Sequence, residues 1–146
     1  MVRPNPTDRQ ISLTDYRALA EFRYRVRQFL RITERTARQA GVHPQQHRLM
    51  LAVKGMPAGM ASSISNLAER LQLEPHSTVE LVNRAAARGL VARHHDRHDR
   101  RVVMVRVTPR GERLLAQLSL RNRQELRAAA PALVRSLRAL TRERAA

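Results

Sequence analysis

Between Ser12 and Gly41 apolar residues return every three or four positions: Tyr16, Leu19, Phe22, Val26, Phe29 and Leu30, joined by Thr33. Arg, Glu and Gln fill the places between them. This is the period of one helix face, so the pattern predicts a long amphipathic helix, capped by Ser12 or Thr14 and stopped by Gly41. Pro44 suits the first turn of a second helix, which carries Leu49, Met50 and Val53 and ends at Gly55. The breaker-rich run from Gly55 to Ser62 predicts a loop. Ser63 can cap a short helix, Ile64 to Leu71, with Ile64, Leu67, Ala68 and Leu71 inward. Pro75 opens the next, with Val79, Val82, Ala85 and Ala86 inward and Gly89 at its end. Two short helices parted by a turn of a few residues have the spacing of a helix-turn-helix.

The period then changes. Leu90-Val91-Ala92-Arg93 and the run Val102 to Val107 are short and β-branched, and the segment between them, HHDRHDRR, has no apolar residue. That reads as a hairpin with a long charged tip, a wing. Thr108-Pro109 is a cap followed by a first-turn proline. The helix it starts carries Leu114, Leu115, Leu118 and Leu126 to about Ala129, and Pro131 is expected to begin a final helix with Leu133, Val134, Leu137 and Leu140. The predicted class is mainly α with a small β-hairpin. The predicted organisation is a flexible arm (1–11), an N-terminal helix (12–42), a winged helix-turn-helix (43–108) and C-terminal helices (109–146).

Composition narrows the function. Only 3% of the 146 residues are aromatic against 42% apolar, so the core must be aliphatic, which suits packed helices. Cysteine is absent, which excludes disulfides and thiol chemistry. No apolar run approaches the roughly 18 residues of a membrane span, and MVRPNPTDRQ lacks an apolar signal region, so a cytoplasmic, nucleoid-associated protein without a membrane partner is expected. Basic residues number 28 against 12 acidic, a net charge of +16, and all but Lys54 are arginine. Such a charge implies a polyanionic partner, and arginine's fork matches phosphate geometry. It does not place the contact, because Glu74 and Glu80 cancel Arg84 and Arg88 within the predicted recognition helix.

Five blocks in order carry a resemblance: Ile64-Ser65-Asn66-Leu67-Ala68-Glu69-Arg70-Leu71, Ser77-Thr78-Val79-Glu80-Leu81-Val82-Asn83-Arg84, Arg88-Gly89-Leu90-Val91-Ala92-Arg93, Asp96-Arg97-His98-Asp99-Arg100-Arg101, and Val107-Thr108-Pro109-Arg110-Gly111. At these spacings the chain resembles the MarR family of winged helix-turn-helix transcription regulators over nearly its whole length. The resemblance implies a homodimer whose first and last helices intertwine, with two reading heads on successive major grooves of double-stranded DNA. The apolar stripes at both ends agree, since they exceed what one small core can cover. A ligand-responsive repressor on a pseudopalindromic operator follows as the expectation. The alternative is a non-specific architectural DNA-binding protein, which would hold random and selected duplexes equally.

A recognition helix offers its outward residues to base edges: His76, Ser77, Glu80, Asn83 and Arg84, with Thr78 at the margin. In the wing, Arg97, Arg100 and Arg101 can reach phosphates or a narrow minor groove. The resemblance implies Arg101 as the groove arginine, oriented by Asp99. Ser63 and Ser65, at the preceding helix start, are candidate phosphate contacts. The resemblance also implies a small aromatic or anionic effector, for which Tyr16, Arg17 and His47 are the candidate residues. Tyr16, with Phe22 and Met50, reads more readily as core.

Rival chemistry finds less support. His43 and His47 straddle a helix start, and His94, His95 and His98 sit with Asp96 and Asp99 on a hairpin that preorganises a metal poorly. No Gly-rich phosphate loop, HExxH or GxSxG string occurs, so no enzymatic activity, metal or cofactor is expected.

Overall fold

The computed structural model describes residues 10–142, so the expected arm lies outside the described residues except for its last two positions. The elements are α1 (Leu13–Gln39), α2 (Pro44–Lys54), α3 (Ile64–Leu71), α4 (Pro75–Ala87), β1 (Val91–His95), β2 (Val103–Val107) and α5 (Pro109–Thr141).

Local chemistry explains most boundaries. At α1 the Ser12 hydroxyl accepts the Asp15 N–H at 3.2 Å, while Asp15 Oδ2 accepts the Ser12 N–H at 2.8 Å. This reciprocal pair satisfies two N-terminal donors and puts an anion at the positive end of the helix dipole. Ser63 caps α3 through the Asn66 N–H at 3.2 Å. After α3 the chain turns back through Gln72 in the left-handed region, φ 56°, and the Leu73 N–H returns to the Ala68 carbonyl at 2.9 Å. Gly89, φ 69°, ends α4 in the same way, with the Leu90 N–H bonded to the Ala85 carbonyl at 3.0 Å.

Pro131 does not divide the last helix. α5 runs unbroken through it to Thr141, so the expected pair of C-terminal helices is one helix. Proline removes one N–H and crowds the preceding turn. Here alanines flank it on both sides, Ala128 to Ala130 and Ala132, and these are the best helix formers available to hold the helix through that defect.

The described chain forms two compact units, residues 33–123 and residues 1–32 with 124–146. The first is the winged helix-turn-helix with the end of α1 and the start of α5. Its centre is Leu49 and Met50 of α2, Leu67 of α3, Val82 of α4, Val105 of β2 and Leu118 of α5, none more than 1% exposed. Each such side chain contributes about 1.5–3 kcal/mol on burial. β1 and β2 pair antiparallel, with Val91 opposite Val107 and His95 opposite Val103. A third backbone segment joins them, unforeseen in the loop before α3. The Val105 N–H donates to the Ser62 carbonyl at 3.0 Å, and the Ser62 hydroxyl donates back to the Val105 carbonyl at 2.6 Å. The start of α3 is thereby fastened to the wing.

The other unit contains the first five turns of α1 and the last part of α5. Apolar side chains stay exposed on both: Tyr16, Leu19 and Leu30 on α1, and Leu126, Val134 and Leu137 on α5. Tyr16 is therefore not core, whereas Met50 is fully buried and Phe22 is half-buried.

Candidate nucleic-acid interface

α4 shows why its outer face is polar. Thr78, Leu81, Val82 and Ala85 are its buried residues, spaced three, four and seven apart on one stripe. The opposite stripe, His76, Glu80, Asn83 and Arg84, is exposed, and Ser77 is half-buried beside it. Thr78 is a correction. It is 0% exposed, and its hydroxyl donates to the Glu74 carbonyl at 3.0 Å, so it packs in the core and lies off the exposed stripe. The expected inward residue Val79 is only half-buried.

Two contacts organise the exposed stripe. Arg84 lies 3.8 Å from Glu80, an i,i+4 ion pair whose partners are 71% and 64% exposed. Pairs this exposed are worth little, so the guanidinium can leave its partner for a base or phosphate. Asn83 Oδ1 accepts from Arg93 Nη1 at 2.6 Å. This bond joins α4 to β1, fixes the amide and leaves its NH2 group as an exposed hydrogen-bond donor. Sequence pattern gave no sign of Arg93 as a positioning residue, because only the hairpin brings it back to α4.

The wing is built around two aspartates with different tasks. Asp96 Oδ2 accepts the backbone N–H groups of His98 and Asp99 at 3.3 and 3.1 Å, bracing the tip. Asp99 Oδ1 accepts Arg101 Nε at 3.1 Å and Oδ2 accepts Nη2 at 3.3 Å, a two-point grip on the guanidinium. The Arg101 side chain, with its backbone N–H, holds the Asp99 carboxyl below its ordinary range. The arginine itself remains 92% exposed, held in orientation but available. Arg97 and Arg100 are exposed alongside. His95 Nδ1 is engaged with the Arg100 carbonyl at 2.8 Å, and among the described residues no three His, Asp or Glu side chains converge to hold a metal ion. At the start of α3, Ser65 is exposed, while Ser63 is half-buried with its oxygen engaged in the cap.

The effector candidates divide between the units. Tyr16 and Arg17 are exposed on α1, in the terminal-helix unit. His47, in the reading unit, is 6% exposed, and its buried Nε2 has no hydrogen-bond partner. Burial lowers its pKa, so the ring is neutral near pH 7 and offers a hydrogen bond in place of the cation expected for pairing with a carboxylate. Its neighbour Gln46 also has a buried, unpartnered oxygen. Gln46 lines a cleft of about 290 Å³ whose other walls include His43, Ser77, Glu80 and Arg84. Periodicity could not have located this cleft, because its walls come from two helices.

Among known proteins, residues 40–102 match the model of the MarR family. No curated protein matches the sequence significantly. The fold is that of AbsC, a MarR family transcriptional regulator from Streptomyces coelicolor, at TM-score 0.72 and 16% identity over 83% of this chain and 81% of that one. CouR from Rhodococcus jostii, solved with p-coumaroyl-CoA, is similar at TM-score 0.58 and 23% identity over 68% of each chain. A mutant of MepR from S. aureus, bound to an oligodeoxyribonucleotide, is similar at TM-score 0.58 and 17% identity over 83% and 84%. The match falls on the α2 to wing segment that carries the recognition stripe and the Asp99–Arg101 grip, and beyond that segment the chain shares the winged helix-turn-helix fold of solved MarR family regulators.

Proposed function

We propose that this protein is a ligand-responsive repressor that binds a pseudopalindromic operator as a homodimer and acts by binding, without catalysis. The observation that carries the DNA assignment is the pre-oriented Arg101, gripped by Asp99 yet almost fully exposed, in the same unit as the His76–Glu80–Asn83–Arg84 stripe. A helix stripe suits the major groove, and a fixed wing arginine suits the narrow, electronegative minor groove beside it. Ser65, Arg97 and Arg100 supply phosphate contacts that set register.

Dimerisation is supported by the terminal unit. Leu19, Leu30, Leu126, Val134 and Leu137 are each 38–50% exposed in the single chain, an apolar surface a second copy would bury. For the effector, CouR is a protein of this fold that holds an aromatic acyl thioester. A small polar or anionic molecule in the cleft beside Gln46 would compete with DNA for Glu80 and Arg84. Tyr16, Arg17 and His47 are further candidates, His47 as a neutral partner.

Selection from random duplex DNA tests the reading. A homodimer should return a pseudopalindrome whose half-sites lie about 10–10.5 base pairs apart. A single asymmetric half-site, or equal affinity for random and selected duplexes, would overturn it.

A further inference from the structure

The winged head does not account for the chain's charge, and α1 shows where a distinct part of it lies. Arg23, Arg27 and Arg31 stand four residues apart on the part of α1 in the terminal-helix unit, and all three are exposed. Like charges at this spacing repel and weaken a helix. The acids of α1 do not offset them: Glu21 is paired with Arg25 at 2.8 Å and Glu34 with Arg38 at 3.9 Å. Among the described residues no carboxylate reaches ion-pair distance of the three. The row runs along an i,i+4 ridge and, beyond Arg23, turns away from the apolar stripe that includes Val26, Phe29 and Thr33. Burial of that stripe by a second copy would leave Arg27 and Arg31 in solvent.

We infer that this ridge is a second, sequence-independent contact for duplex DNA, distinct from the winged head, and that its occupant is a DNA segment outside the operator. The spacing fits. Four residues of helix advance about 6 Å, and the whole ridge spans about 12 Å. One DNA strand presents a phosphate about every 3.4 Å of axis, so flexible arginines can each find one along such a run. Guanidinium forks favour phosphate oxygens over a diffuse ammonium contact. A single-stranded partner would want several stacking aromatics, whereas this face has Tyr24. A membrane surface would need the apolar stripe inserted in lipid, but Phe22, Val26, Phe29 and Thr33 are half-buried in the chain itself.

The inference goes beyond the operator reading and can be measured without it. Binding of the full chain to random duplex should lose about two units of salt slope in the R27Q/R31Q variant, about 0.9 for each phosphate contact removed. R27K/R31K, which keeps the charge, should retain the slope. The glutamine variant relieves repulsion along the ridge, so its thermal midpoint should not fall. The wild-type chain saturated with selected operator should also co-capture a tethered random duplex, and the glutamine variant should not. An N83A/R101A variant tests the winged head separately: it should lose operator preference and still show the ridge-dependent slope on random duplex. An unchanged slope in the folded glutamine variant, co-capture that survives it, or capture of anionic phospholipid vesicles in preference to duplex would each overturn the inference.

Discussion

Gly111 stands in the first turn of α5, where the helix meets the root of the wing, and Gly111→Ala should unseat that junction. An added Cβ would lie 2.8 Å from Val107 Cγ1 and 3.1 Å from the Leu90 carbonyl carbon, with the Leu90 oxygen nearer still. Val107 can turn its methyl away, but Leu90 is backbone and is held where it is. The Thr108 N–H donates to the Leu90 carbonyl at 3.1 Å, and the Thr108 hydroxyl donates to the Gly89 carbonyl at 2.6 Å while capping the Gly111 N–H at 3.1 Å. Relief therefore requires α5 and the start of β1 to move apart, breaking bonds worth about 0.5–1.5 kcal/mol each. Alanine regains about 1 kcal/mol of helix propensity. Overpacking a rigid contact costs about 1–3 kcal/mol, before any lost bond. The net expectation is a destabilisation of about 2–3 kcal/mol, read as a shift in the midpoint of denaturant unfolding with little change in slope. Gly41→Ala is the control. Gly41 also has a special backbone, φ 75°, but open space where its Cβ would go, so Gly41→Ala should cost only about 1–2 kcal/mol, through backbone strain alone. A Gly111→Ala protein as stable as wild type would show that the helix–wing junction is not closely packed.

Other expected outcomes concern the interface and its neighbour. Arg101→Ala should weaken binding to all duplexes and flatten the salt dependence by about 0.9 units of slope, so that its deficit shrinks roughly three- to fourfold between 50 and 200 mM salt. Asn83→Ala should cost about 1–3 kcal/mol on the preferred site and relax its sequence preference; identical behaviour of the two variants would mean that helix and wing do not divide the task. For His47, burial puts the folded pKa below the unfolded value near 6.5. The unfolded chain then takes up the proton first, so this contribution to stability is full above about pH 6.5 and is lost as pH falls toward the folded value. His47→Gln should remove that share of the acid sensitivity, and an unchanged pH profile of unfolding would refute the burial argument.

Short-range chemistry was legible from the residues alone. Ser63, Pro44, Pro75 and Thr108-Pro109 mark helix starts because a cap or a first-turn proline satisfies local backbone groups without help from the rest of the fold. The charged tip between two β-branched runs marks the wing in the same way, whereas the Asp99–Arg101 pair was expected only from the family resemblance and is closed by a local turn. Tertiary packing decided the rest. Whether Thr78 or its neighbour Val79 faces inward depends on how α4 is rotated against α2, α3 and β1, a matter of one helical step that side-chain polarity predicts wrongly here. The Arg93–Asn83 bond, the pairing of Ser62 with Val105 and the buried, unpartnered oxygen of Gln46 join or isolate groups that only the folded chain brings near. Pro131 stays within α5 although its local preference is to break a helix, and the sequence around it carries both signals. Local rules set where elements begin because their energies arise within a turn of chain; the phase of each face and the partners on it arise from contacts distant in sequence, which no short window contains.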